Sequence, residues 1–266
     1  MLSLIKLIIN KFFSIFGYGI VNINTLNQQQ LLINDLKYKN QKYHFLYENK
    51  IFNLNILKNL NKSKSQICQD WFVLNSLNYK KNGYFVEIGA ASGVDLSNTY
   101  LLEKEFNWTG ILSEPSNYWR TSLLKNRDCN IDFNCVYKST GEKINFHETI
   151  EKEYSTIGKY SKQDSHYSKR RSFKEYKVET ISLLDLLDKY NAPSLIDYLS
   201  IDTEGSELDI ILNFDFTRYK FRAVTIEHNN TENKIIIDKI FEENGYTKTY
   251  QEFSQFESWF VYPDII

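Results

Sequence analysis

The stretch Gly83-Tyr84-Phe85-Val86-Glu87-Ile88-Gly89-Ala90-Ala91-Ser92-Gly93 constrains the fold more than any other part of this chain. An apolar run, Tyr84 to Ile88, stops at an acidic, glycine-rich turn, and a helical pattern begins near Ser97. A buried parallel strand hands over to a helix in this way in nucleotide-binding α/β domains. Gly89 permits a backbone geometry that a β-carbon forbids, and Gly93 is expected to let a ligand approach closely. The spacing is Glu-x-Gly-x-x-x-Gly. It is not the dinucleotide Gly-x-Gly-x-x-Gly, because positions 91 and 94 are Ala and Val.

A second buried strand is expected in Trp108 to Pro115, and it ends in Glu114, 25 residues beyond Gly89. That separation fits strand–helix–strand. An acid at the end of a second strand suits a ribose diol, since a carboxylate accepts from both hydroxyls. Glu87, two residues before the first glycine, suits a cationic amino group. S-adenosylmethionine carries both features. Asp95, Ser97 and Asn98 can cap the helix through Leu101, Leu102 and Phe106, whose N-terminus would face the pocket.

The rest of the chain alternates strands and helices. Ser65 to Leu74 reads as a helix capped by Ser63 or Ser65, from which Gln69 or Asp70 can reach the pocket. Tyr118 to Asn126 reads as a short helix, Ile131 to Tyr137 as a third strand, and Lys143 to His147 as part of a hairpin. Residues 148–177 turn polar, with the basic run Lys169-Arg170-Arg171. They suit either a mobile lid over the site or a solvated surface loop. Val178 to Ser182 is extended, and Leu183 to Tyr190 is helical. Buried strands follow at Ile196 to Ile201, ending in Asp202-Thr203-Glu204-Gly205, and at Phe221 to Ile226, ending in Glu227-His228-Asn229. Thr231 can cap a last helix that Gly245 closes. Thr247 to Phe253 and Ser258 to Tyr262 read as a terminal hairpin.

Two divisions follow: residues 1–60, an apolar helix with a polar extension, and 61–266, the α/β domain with its insertion at 148–177. Residues 2–20 are strongly apolar, but Lys6 and Lys11 keep any uncharged run short of the ~20 residues that span a bilayer. A helix packed on the domain, a helix lying on a membrane surface or a partner, and an uncleaved anchor all suit them. Three cysteines without C-x-x-C spacing suit a reducing compartment, and a cytoplasmic location is expected. A net charge of −1 gives no strong pull toward nucleic acid.

At this point the residues resemble the FkbM-type S-adenosylmethionine-dependent methyltransferases. The likeness runs from about Ser65 to Val261 and rests on SQICQDWFV, GYFVEIGAASGVDLSNTYLLE, GILSEP, NCVYKSTGE, ETISLLDLL, NAPSLIDYLSIDTEGSE and TIEHN. The family usually carries Asp where this chain has Ser92; a serine there can still hydrogen-bond. The resemblance implies a Rossmann-like α/β fold. Its sheet would be seven-stranded and mostly parallel, with a C-terminal antiparallel hairpin and helices on both faces. It also implies methyl transfer to an oxygen of a sugar, glycan or other small hydroxylated molecule. By position, Glu87, Gly89, Ala90 and Gly93 would hold the methionine part of the cofactor and Glu114 the ribose, with Ser97 and Asn98 as cap and pocket residues.

Asp202, Glu204 and His228 are the expected catalytic set, with His228 or Asp202 as general base. Alternatively, Asp202, Glu227 and Asn229 coordinate a hard cation such as Mg²⁺, or Glu204 and Glu227 only cap neighbouring helices. A non-catalytic module keeping the fold and a nucleic-acid methyltransferase are the other classes. The first would shed pocket acids that this chain keeps, and the second would show a basic face beyond Lys169-Arg170-Arg171.

Overall fold

The structure, a computed structural model, describes residues 41–50, 58–163 and 165–263. The apolar segment 2–20 lies outside the described residues. Contacts divide the chain into two units, residues 1–49 and 50–266. Of the first unit, residues 41–48 are helical. Among the described residues no helix is long and apolar enough to cross a membrane.

The second unit is built on a seven-stranded sheet. Five parallel strands form its body: β3 (Asn130–Asp132), β2 (Thr109–Ser113), β1 (Tyr84–Ile88), β8 (Leu195–Ile201) and β9 (Lys220–Glu227), in that spatial order. β11 (Glu257–Val261) pairs antiparallel with β9, and β10 (Thr247–Thr249) antiparallel with β11. The connecting helices are α1 (Gln69–Ser76) before β1, α2 (Tyr100–Phe106), α3 (Arg120–Asn126), α4 (Leu183–Lys189) before β8, α5 (Glu207–Leu212) and α6 (Asn233–Glu243). In β8 every residue after Leu195 is buried, and in β9 all from Ala223 to Glu227. Such unbroken burial requires cover on both faces of the sheet, which the helices supply.

A second, four-stranded sheet has the order β4 (Cys135–Tyr137), β7 (Phe173–Ser182), β5 (Lys143–Thr149), β6 (Thr156–Ile157). Its existence corrects two expectations. Ile131 to Tyr137 is two strands, because Asp132 Oδ1 accepts the backbone N–H of Asn134 at 2.8 Å and turns the chain. The first piece stays in the main sheet and the second leaves it. The polar stretch 148–177 is not all loop: Phe173 to Lys177 is strand, paired with β5 from Thr149 to Asn145. Tyr176 and Val178 are half-buried and Thr180 is buried, while Lys177 and Glu179 are exposed. An antiparallel strand with one wet face needs only this weak alternation.

Three boundaries also shift. α1 begins at Gln69, because Cys68 is left-handed (φ 76°) and the hydroxyls of Ser63 and Ser65 donate to Asp70 at 3.0 and 2.6 Å instead of capping. Glu232, not Thr231, occupies the cap position of α6. The expected terminal hairpin keeps its pairing, Thr247 with Val261 and Thr249 with Trp259, but a short helix, α7 (Gln251–Ser254), interrupts it.

Candidate active site

The carboxyl ends of β1, β2, β8 and β9 meet in one cavity. In an open parallel sheet the strand ends are where loops of adjacent crossovers separate and leave a cleft. Glu87, Gly89, Ala90, Ser97, Asn98, Glu114, Asp202, Glu204, Glu227 and Asn229 all line it. Gln69, Gly93 and His228 do not.

On the β1–β2 side every carboxylate oxygen is committed. Gly89 has φ +88°, and a β-carbon there would lie 1.7 Å from the Asp202 carbonyl oxygen, so the turn passes between β2 and β8 only as glycine. Glu87 accepts from the Asn98 backbone at 2.7 Å, from Ser97 Oγ at 3.0 Å and from Thr99 Oγ1. Arg127, itself buried, stands 3.7 Å from Glu87 and donates to Glu103 at 2.8 Å and to the Gly93 carbonyl at 3.1 Å. Glu87 therefore shapes the loop 97–99 through its own bonds. The loop presents Asn98, whose Nδ2 donates to Ser200 at 2.9 Å and whose Oδ1 is buried with no donor. Glu114 accepts the backbone N–H of Ala91 at 2.9 Å and of Ser116 at 2.8 Å. Burial outweighs both and pushes its carboxyl up to about 7.

Gly93 serves packing. A β-carbon would meet Leu123 Cδ1 at 2.6 Å and Arg127 Cγ at 2.7 Å, so the missing side chain admits α3 and Arg127, not a ligand. Gln69 is buried elsewhere: its Nε2 donates to Glu257 Oε1 at 2.6 Å and its Oε1 accepts from Ile67 at 2.8 Å.

The β8–β9 side is crowded with like charge. Carboxylate oxygens of Asp202, Glu204 and Glu227 lie within 4.8 Å of one another. Asp202 is held well above the usual carboxylate range, first by burial and then by Glu204. Glu227 is raised the same way, by burial and then by Asp202, and its Oε2 has no hydrogen-bond partner. Glu204 is the charge-paired member. It sits in the left-handed region (φ 61°), accepts from Arg170 Nη2 at 2.5 Å and lies 3.2 Å from His166 Nδ1. Glu207, at the start of α5, fixes the loop, accepting from Thr203 and Gly205 backbone at 2.8 and 3.0 Å.

His228 is corrected as a base facing this cavity. Its Nδ1 accepts from the Asn230 backbone at 3.1 Å, and burial followed by Lys234 drives its pKa down to about 4. It borders a neighbouring cavity instead. Asn229 borders both, but the third carboxylate of the cluster is Glu204. The sequence did not single out Trp119, Val136, Phe146, Lys152, Tyr154 or His166, which complete the cavity wall. The basic run 169–171 was the available signal for Arg170.

The sheet order, with strand-end acids on adjacent parallel strands and an antiparallel β11 beside β9, defines a methyltransferase of the Rossmann-like class. The profile of the methyltransferase FkbM domain matches residues 87–248, well over half of the chain, and the chain belongs to that family. No curated protein matches it. Among solved structures it is similar to a methyltransferase FkbM from Methylobacillus flagellatus KT, at 12% identity and a TM-score of 0.42, covering 68% of this chain and 44% of that one. It is also similar to a precorrin-6y C5,15-methyltransferase from Geobacter metallireducens GS-15, at 12% identity and a TM-score of 0.39, covering 68% and 71%. A SAM-dependent methyltransferase from Aquifex aeolicus is a third, at 10% identity and a TM-score of 0.33, covering 79% and 97%.

Proposed function

We propose that this chain is an S-adenosylmethionine-dependent O-methyltransferase acting on a hydroxyl of a sugar, glycan or other small hydroxylated molecule. The observation that carries the cofactor is the pair formed by Glu114 and Asn98. Glu114 ends β2 with its carboxylate steered by two backbone donors, which suits a ribose diol. Asn98 Oδ1 is a buried acceptor lacking a donor, which suits an ammonium group.

When bound, the cofactor supplies a methyl group on a positively charged sulfur. Transfer breaks the carbon–sulfur bond, forms a carbon–oxygen bond and releases the hydroxyl proton. Asp202 and Glu227 are the groups that take it. Two carboxyls crowded in low dielectric bind one proton tightly and share it, and the carboxylate that stays ionised is a stronger base than an exposed one. Asn98 and Glu114 would hold the cofactor, and fixing the reacting groups relative to one another supplies much of the acceleration.

A second reading is favoured by the unpartnered Glu227 Oε2: Asp202, Glu204 and Glu227 would hold a divalent cation such as Mg²⁺. A hard cation stabilises a developing alkoxide. Titration calorimetry separates the readings. S-adenosylmethionine and its demethylated product are expected to bind at micromolar concentration and NAD not at all, and Glu114→Ala is expected to weaken the first two by about 100-fold or more. No binding, with or without Mg²⁺, would overturn the enzyme reading. Mg²⁺ heat that Glu227→Gln abolishes supports the cation.

A further inference from the structure

The polar insertion builds one wall of the active-site cavity. Lys152, Glu153, Tyr154, Ser155 and Ile157 line it from one piece, and His166 from another. Glu87, Asn98 and Glu114 line the same cavity from the main sheet, so a ligand that fills it touches both.

The insertion is not held evenly. Ile157 and Tyr160 are buried in a small apolar cluster with Cys135 and Tyr137, which anchors its middle on the second sheet. On either side lie two 3₁₀ turns, Lys152–Tyr154 and Ser165–Arg170. Such turns have poor hydrogen-bond geometry and persist only in short pieces. Among their described side chains Arg170 alone is buried. A segment that buries so little opens locally at low cost unless a specific contact holds it.

Arg170 makes that contact. Its Nε donates to the Tyr154 carbonyl at 2.9 Å, which ties the second turn to the first. Its Nη2 donates to Glu204 Oε2 at 2.5 Å, which ties both to the loop after β8. His166 Nδ1 lies 3.2 Å from the same oxygen, and its ring packs 4.8 Å from that of Tyr154. Lys169, beside it in the basic run, pairs instead with Glu151 between two exposed side chains.

We propose that the two turns form a gate over the cavity and that the Arg170–Glu204 pair is its latch, setting the rates at which the cofactor enters and leaves. The proposal rests on the methyl-transfer reading above. The balance of forces suits a latch. Closed, a guanidinium offsets the charge of three carboxylates gathered within 4.8 Å of one another. Open, those acids repel without it, so the cluster draws the arginine back. Water opposes closure, because a buried ion pair gives up the hydration of both ions. Two large opposed terms leave a small difference, and a small difference lets a gate open and shut. Glu204 itself stays in place, because Thr156 Oγ1, from the anchored middle, donates to its carbonyl at 2.9 Å.

The test is surface plasmon resonance of S-adenosylhomocysteine on the immobilised full chain. Arg170→Ala should raise the association and the dissociation rate together, each about tenfold or more, with Kd within about threefold of wild type. Arg170→Lys keeps the charge without the planar fork and should fall between. Glu204→Gln keeps an acceptor without its charge and should speed both rates about threefold or more. The double variant should be no faster than Arg170→Ala alone, because the two residues act through one contact. Lys169→Ala, which breaks an exposed pair, should leave both rates within about twofold of wild type. Hydrogen exchange of the wild type gives an answer that needs no variant. S-adenosylhomocysteine should slow the amides of residues 166–171 about threefold or more and leave those of the β5–β7 pair unchanged. Unchanged rates in Arg170→Ala, a change in its dissociation rate alone, which would make Arg170 a cofactor contact, or exchange at 166–171 that the ligand does not alter would overturn the proposal. Absence of S-adenosylhomocysteine binding to the wild type would instead remove the methyl-transfer reading on which it stands.

Discussion

The two halves of the cavity edge treat their acids in opposite ways. At the ends of β1 and β2, Glu87 and Glu114 receive backbone and hydroxyl donors, and a buried arginine neutralises the first. At the ends of β8 and β9, Asp202 and Glu227 face each other and further acids, burial raises both, and one oxygen of Glu227 has no partner. The carboxylates of the first half are satisfied by the chain's own donors, which fix the loops around them. The second half holds unfavourable charge that a proton, a cation or a reacting hydroxyl would relieve. A site that must bind one molecule rigidly and move a proton on another needs both conditions.

The sharpest break of this contrast is Arg127→Ala. Arg127 touches Glu87, Glu103 and the Gly93 carbonyl with its side chain fully buried. Its removal leaves buried carboxylates uncompensated, which costs about 3–5 kcal/mol. Urea denaturation should show that loss, and Arg127→Lys should recover part of it while failing to span both acids. A change under about 1 kcal/mol would mean that the β1 side is not held as described.

The β8–β9 half should respond with the opposite sign. Asp202→Asn removes a carboxyl that resists ionising, so near pH 8 it should stabilise the fold by about 1–2 kcal/mol while lowering methyl transfer about 100-fold or more. The pH dependence follows from the raised folded-state pKa. Below the unfolded value, near 4, both states hold the proton and the stabilising contribution is complete. As pH rises toward the raised folded value, the unfolded chain releases its proton while the folded chain keeps it, and stability falls by up to about 1.4 kcal/mol per pH unit. Denaturation of wild type and variant from pH 5 to 8 should therefore show the variant gaining relative stability as pH rises. Glu114→Gln should show the same trend between about 4.5 and 7, where its carboxyl is displaced by burial. A flat difference in either case would break the argument from burial.

How far the sequence reaches differs between the halves for a physical reason. Glu87, Gly89 and Glu114 were legible because a strand, a turn and a strand-end acid are local signals, and the main sheet follows from buried runs alone. His228 was misplaced because adjacent residues at a strand end point to opposite sides. Glu227 and Asn229 line the cavity at the carboxyl edge of the sheet, so the residue between them turns away, and alternation along β9 was the signal that would have found it. Gly93 and Gln69 depend on long-range partners, Arg127 and Glu257, that no local pattern reveals. The second sheet was missed because β7 buries only a few side chains among lysines and glutamates.

Gln69 supplies the smallest and most discriminating test, because it is buried like Glu87 and Glu114 yet lies outside the cavity. Its amide ties α1 to Glu257 at the start of β11, and burial holds the Glu257 carboxyl up at about 7. Gln69→Leu removes that donor and leaves a buried acid with one partner fewer, Trp259 Nε1 at 2.6 Å remaining. The expected cost is about 1–3 kcal/mol of stability, and it should grow with pH, since the ionised form of Glu257 is the one that loses its donor. Binding of S-adenosylhomocysteine should stay within about twofold of wild type. If affinity instead fell tenfold at unchanged stability, Gln69 would reach the cofactor after all, and the boundary between the cavity and the rest of the fold would have to be redrawn through α1.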